Sequence, residues 1–122
     1  VDRKKDAIRR RGENISSYEL ESAINAHPDI LECAAIAVQS DLGEDEVKMV
    51  VVLKPGAEMS AEDFWRFCET SLPRFWIPSI LEVRGQMPKT ATNKIQKYLL
   101  KEIGKEGSVY SREWRSGAIR KL

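Results

Sequence analysis

The sequence predicts a small α+β domain, with a mostly antiparallel sheet and about three helices packed on it. Three observations carry that expectation. Two segments open with helix-capping signatures, at Ser16 and Ser60. An apolar run and an alternating β-branched run flank a short polar turn. Helices and strands follow one another without the regular alternation that builds a parallel sheet.

The first helix starts after Ile15. Ser16 and Glu19 have the spacing of a capping box, and Ile15 and Leu20 are placed as the hydrophobic staple around it. Leu20, Ala23, Ile24 and His27 then share one helical face, and Pro28 ends the helix. Leu31 to Val38 is a short apolar run, predicted as a buried strand. Asp41-Leu42-Gly43-Glu44-Asp45 is a turn. Val47, Met49, Val51 and Leu53 alternate with Lys48, Val50 and Val52, a second strand rich in β-branched residues. The two runs predict an antiparallel pair, closed by Pro55-Gly56.

Ser60 and Asp63 repeat the capping logic, with Met59 and Phe64 as the staple. Phe64, Phe67, Cys68 and Leu72 mark an amphipathic helix that stops at Pro73. Ile80 to Arg84 is a third short strand. Ile95, Tyr98, Leu99 and Ile103 line one face of a final helix. From Gly104 onward the chain is polar and mixed, read as a docked extension or a loose tail, with Trp114 favouring docking.

At 122 residues, 42% hydrophobic and 32% charged, the chain has the size of one domain that buries a core without disulfide or metal. A net charge of +1 supplies no overall drive toward nucleic acid or a membrane surface. No apolar run approaches the length of a membrane span, and no signal peptide is expected. Cys33 and Cys68 lie far apart inside apolar runs, which reads as two buried thiols rather than a disulfide or metal site and fits a cytoplasmic location. One histidine, His27, gives almost no basis for a metal centre or a Ser-His arrangement; at a helix end it reads as cap-like. Trp65, Trp76 and Trp114 read as packing or interface residues. The start at Val1, within a basic stretch, is read as the edge of a piece of a longer protein.

Two stretches carry chemistry. In Pro88-Lys89-Thr90-Ala91-Thr92-Asn93-Lys94-Ile95-Gln96-Lys97, a proline-led polar loop delivers Lys94 to the expected first turn of the last helix. A cation there opposes the helix dipole, and with the exposed N–H groups it makes an anion site. Alone, Lys94 reads more readily as a surface lysine. The second stretch is basic: Arg3, Lys4, Lys5, Arg9, Arg10 and Arg11 precede Gly12-Glu13-Asn14-Ile15-Ser16. Alone, it reads as a solvated segment, and Gly12 as a turn glycine.

Together, in this order and more than seventy residues apart, the stretches resemble two motifs of the C-terminal domain of adenylate-forming enzymes, such as acyl-CoA synthetases, peptide-synthetase adenylation domains and luciferases. The wording Gly-Glu-Asn-Ile-Ser and the Glu62–Pro73 helix are most similar to acyl-CoA ligases of the crotonobetaine/carnitine type and nearby medium-chain or aryl acid ligases. The resemblance covers residues 2–103. It implies a hinge and glycine-loop segment over 1–14, a mobile lid domain over 15–103 and an extension over 104–122, with a large N-terminal domain elsewhere as partner. It implies a ligase that uses ATP, Mg2+ and CoA on a carboxylic acid substrate. Lys94 is then the catalytic lysine and Lys5 the hinge. Gly12, Glu13 and Arg11 form the loop along the pantetheine arm, and Arg3, Arg9 and Arg10 are candidates for nucleotide or CoA phosphates. Asn93 stands where many relatives have glycine, a residue type that tolerates left-handed backbone. Arg11 replaces the first of two glycines that relatives often carry. A rival within the family passes the acyl group to a carrier protein; one of another class is a basic module that binds nucleic acid or protein.

Overall fold

A computed structural model of the chain describes residues 7–10, 12–39, 45–100, 108–113 and 116–122. Its elements in order are strands β1 (Ala7–Arg10) and β2 (Glu13–Ser16), helix α1 (Ser17–Asn25), strands β3 (Ile30–Gln39) and β4 (Asp45–Leu53), helix α2 (Ala61–Ser71), strand β5 (Ile80–Arg84), and strands β6 (Ser108–Arg112) and β7 (Ile119–Lys121). Single 3-10 turns lie at Arg74–Trp76 and Lys97–Leu100. The main sheet has the order β3-β4-β5-β6-β7. All its pairings are antiparallel except β4 with β5. That parallel pair needs a crossover, which α2 supplies.

Local signals explain the helices. Ser16 caps α1, its hydroxyl accepting from the Glu19 N–H at 3.2 Å. At α2 the box is reciprocal: Ser60 Oγ accepts from the Asp63 N–H at 3.0 Å, and Asp63 accepts from the Ser60 N–H at 3.3 Å. The backbone N–H and hydroxyl of Ser60 hold the Asp63 carboxyl below its usual range. His27 Nδ1 accepts from the Asp29 N–H at 3.0 Å, the cap-like task expected of it, and its ring meets Phe67 edge to face.

The sheet is covered on both faces. On one lie Cys33, Ala35, Val47, Met49, Val51 and Leu81, packed by both helices and by Ile8 and Ile15 of the β1–β2 hairpin. On the other lie Ala34, Ile36, Val50 and Val52, covered by Met87, Leu100 and Ile95 from the segment after β5. An irregularity between Ile30 and Glu32 lets Ile30 and Cys33 share the helix-bearing face despite their odd spacing and turns Leu31 outward. Trp65 is buried, donating Nε1–H to the Pro78 carbonyl at 2.6 Å, and Trp76 packs against the same cluster, as expected of packing tryptophans. Trp114 lies outside the described residues.

Three expectations need correction. The final helix is not formed among the described residues: the segment holds a short hairpin and a single 3-10 turn, so α1 and α2 are the α-helices there. Its helical spacing misled because Tyr98 and Leu99 are exposed, 66% and 49%, whereas Ile95 and Leu100 pack on the sheet. Ile103 lies outside the described residues. The basic lead is not simply polar, since Ala7–Arg10 and Glu13–Ser16 form an antiparallel hairpin whose isoleucines enter the main core. Of the two readings of the tail, docking holds: β6 and β7 extend the main sheet.

Cys33 and Cys68 are buried and unbridged. Burial pushes each thiol from 9.0 to about 12. Because the folded chain holds these protons more tightly than the unfolded one, stability from this source is intact below pH 9.0 and falls as pH rises toward about 12. A thiol reagent at about pH 8 is expected to label neither cysteine in the native chain and both in denaturant; rapid native labelling excludes this burial.

Candidate functional site

The segment from Gly85 to Leu100 crosses the sheet face opposite the helices as a strap. Pro88-Lys89-Thr90 runs out and Lys94-Ile95-Gln96 runs back. Lys89 and Ile95 form an antiparallel bridge, and the Gln96 N–H donates to the Pro88 carbonyl at 2.8 Å. The tip closes with the Asn93 N–H on the Thr90 carbonyl at 2.9 Å and the Thr90 N–H on the Lys94 carbonyl at 2.8 Å. This is the three-residue hairpin whose last loop residue is left-handed. Asn93 takes that place with φ 68°, so asparagine meets the conformational demand that glycine would. Thr90 Oγ1 accepts from the Lys94 N–H at 3.1 Å and lies 3.0 Å from Thr92 Oγ1.

Lys94 is exposed on the return arm of this hairpin. The expected first turn of a helix is absent there, so Lys94 does not stand against the dipole of a helix of its own. Its ammonium is presented by a tight turn, while the flanking lysines are engaged: Lys89 pairs with Glu32 at 2.9 Å and Lys97 with Glu21 at 2.7 Å. Glu21 also accepts the Ala35 N–H at 2.8 Å, which ties the strap to the edge of β3 and to α1. The Lys94 ammonium is therefore a cation that a neighbouring body can reach, carried on a braced support.

The second candidate region is the β1–β2 turn. Ile8 pairs with Ile15 and Arg10 with Glu13, and Gly12 lies in the turn between the two strands. Gly12 has φ +83°, the left-handed region that a two-residue hairpin demands of glycine. Among the described residues, a Cβ there would meet nothing within 4 Å, which leaves room beside the turn. Gly12 and Glu13 are exposed. So is Arg9, whose Nη1–H donates to Asn14 Oδ1 at 3.2 Å.

Arg10 departs from its expected place facing phosphates. It is 1% exposed, pairs with Glu46 at 3.0 Å, and donates to the carbonyls of Phe75 and Ile77. Glu46 in turn accepts from the Ser79 hydroxyl at 3.0 Å. Alternation along β1 explains the difference: Ile8 and Arg10 point inward and Arg9 outward. Arg10 thus pins the hairpin to β4 and to the chain before β5. Lys5, Arg3 and Arg11 lie outside the described residues.

The structure does not bring Lys94 and Gly12 together. The hairpin that carries Gly12 packs with the helices, and the strap that carries Lys94 packs on the opposite face. Sequence reasoning also passed over the buried polar cluster beneath the strap, Lys48 with Glu82 and Arg84. Its one visible signal was a lysine inside the apolar run Val47–Leu53.

Residues 19–94 match the family model of the AMP-binding enzyme C-terminal domain, a stretch that ends on Lys94. Crotonobetaine/carnitine–CoA ligases of Citrobacter koseri and Escherichia coli K12 are each 40% identical to the chain over 101 residues, 83% of this chain and 20% of theirs. The acyl-CoA synthetase of Brucella canis superposes with a TM-score of 0.74 at 30% identity, covering 83% of this chain and 19% of that one. O-succinylbenzoate coenzyme A synthetase of Bacillus subtilis, solved with AMP, gives 0.74 at 28% identity over 87% and 21%. The chain spans about a fifth of the length of the curated relatives it matches. The family model matches more than half of the chain and the fold superposes on solved acyl-CoA synthetases, and the chain belongs to the AMP-binding enzyme C-terminal domain family.

Proposed function

We propose that this chain is the mobile C-terminal domain of an ATP-dependent carboxylic acid–CoA ligase. The observation that carries the reading is the exposed ammonium of Lys94 on a braced hairpin, opposite in the sheet to an open glycine turn. In the first half-reaction a carboxylate oxygen bonds to the α-phosphorus of ATP and the bond to pyrophosphate breaks. Two anions must meet, so a fixed cation between them stabilises the charge that develops. Lys94 serves that purpose: its long stem and point charge reach out of the domain into a cleft formed with the N-terminal partner.

In the second half-reaction the sulfur of CoA bonds to the acyl carbon and AMP leaves. The Gly12 turn suits this step, because a backbone without Cβ allows a thin pantetheine arm to pass closely. Glu13 follows the turn and Arg11 precedes Gly12 in sequence, both assigned to the pantetheine loop, and Arg9 is an exposed arginine on β1 for a CoA phosphate. Since the two regions belong to opposite layers, one domain serves both steps only by turning, with Lys5 as pivot. The relatives' names as CoA ligases support CoA, rather than a carrier protein, as acceptor. Mg2+ is assigned to the ATP side of the cleft, held mainly by or with the N-terminal partner domain. The near-neutral net charge does not favour the nucleic-acid reading.

In the full-length enzyme, Lys94→Ala is expected to slow adenylate formation by about 10²–10³-fold while thioester formation from supplied acyl-adenylate continues. Pyrophosphate release and thioester assays measure the two steps separately, and equal loss in both excludes the assignment. Gly12→Val, forced into a left-handed conformation that β-branched residues resist, is expected to show the reverse pattern. Lys5→Pro, which fixes φ, should damage one half-reaction and spare the other. Normal rates in both would mean that the pivot lies elsewhere.

A further inference from the structure

We propose that Lys48, Glu82 and Arg84 are positioning residues for Lys94, forming one buried polar chain that ties both feet of the strap to a single carboxylate. The proposal rests on the reading of Lys94 given above and adds what sets that residue's position.

The chain of contacts is continuous. Glu82 is 1% exposed, and its Oε1 lies 2.6 Å from the Nζ of Lys48. Lys48, fully buried in β4, donates from Nζ to the carbonyl of Leu100 at 3.0 Å. The other oxygen of Glu82 accepts from Arg84 Nη1 at 2.9 Å, and Arg84 Nε donates to the carbonyl of Gln86 at 3.1 Å. Gln86 stands where the strap leaves β5, and Leu100 stands at its far end. Lys94 lies between these feet, and Glu82 joins them.

The energetic setting argues for position over stability. Contact of Met87, Ile95 and Leu100 with Ala34, Ile36, Val50 and Val52 already holds the strap on the sheet, but such contact is non-directional. It permits sliding. Hydrogen bonds to backbone carbonyls are directional and fix the register. Burying Lys48 and Glu82 carries a desolvation penalty that their attraction can fail to recover, so the pair is poorly explained as a source of stability alone. The side tethers, Lys89–Glu32 and Lys97–Glu21, are 15–29% exposed and correspondingly weaker.

The test uses the full-length enzyme with the paired substitution Lys48→Met and Glu82→Leu, which replaces the buried pair by apolar volume. Arg84→Met, at a side chain 11% exposed, is the second variant should the first not fold. In a variant with parental thermal stability, adenylation kcat is expected to fall roughly 10- to 100-fold. KM for the acid and thioester formation from supplied acyl-adenylate should stay at parental values. The same change added to Lys94→Ala should cause no further loss, since the cluster acts through that lysine. The strap amides of Thr90, Asn93 and Gln96 should exchange hydrogen faster, with those of α1 and α2 unchanged. Parental adenylation in a folded variant, equal loss of both half-reactions, or further loss on top of Lys94→Ala overturns the proposal. Lys94→Ala at the parental adenylation rate overturns it together with the reading beneath it, whereas inactive Lys94→Ala beside fully active cluster variants overturns this proposal alone.

Discussion

Strand β4 is enclosed on both sides, with every residue from Val47 to Val52 buried, and the rest of the domain is organised to keep water from it. β3 and β5 occupy its edges, satisfying its backbone groups. The helices and the β1–β2 hairpin cover one face and the strap covers the other. A central strand walled in this way cannot bend to suit a moving loop. It therefore forms a rigid plate on which two exposed segments, the glycine turn and the lysine hairpin, have fixed addresses.

Polar groups inside this frame do the locating. Arg10 reaches Glu46 and two carbonyls from the hairpin side. Lys48 and Arg84 reach strap carbonyls from the opposite side, and both pair with Glu82. In each case a cation contacts main-chain oxygen, which recognises a segment's position and not its side chains. The two regions assigned to the two half-reactions are thus registered to one sheet by the same kind of bond, on its two faces.

Much of the fold was legible in the sequence because the signals were local. The caps at Ser16 and Ser60, the stop before Pro73, the apolar run of β3 and the alternation of β4 each reflect chemistry within a few residues. What escaped was decided at long range. β1 and β2 each contribute a single isoleucine to the core, and the other inward residue of β1 is Arg10, which reads as polar although its charge is met by Glu46 across the fold. β6 is half-exposed and short, so it carries little periodicity. The apparent final helix failed because the Gln96 N–H is taken by the Pro88 carbonyl across a hairpin, a partner that helical spacing does not anticipate. At the site, the motif around Lys94 was legible as a sequence pattern; the brace beneath it was not, since Lys48, Glu82 and Arg84 come from two strands joined by the α2 crossover.

The late arrival of β6 and β7 has a consequence for biogenesis. β5 pairs with β4 on one side, and its other side stays unmatched until residues 108–112 have emerged from the ribosome. Until then a nascent chain displays a row of bare amide and carbonyl groups beside apolar Leu81, the sort of template on which neighbouring polypeptides add strands. A fragment cut at the end of the family match, after Lys94, would keep that lysine but leave this side of β5 open. The β6–β7 ribbon thus moves the open edge of the sheet from β5 to the short strand β7.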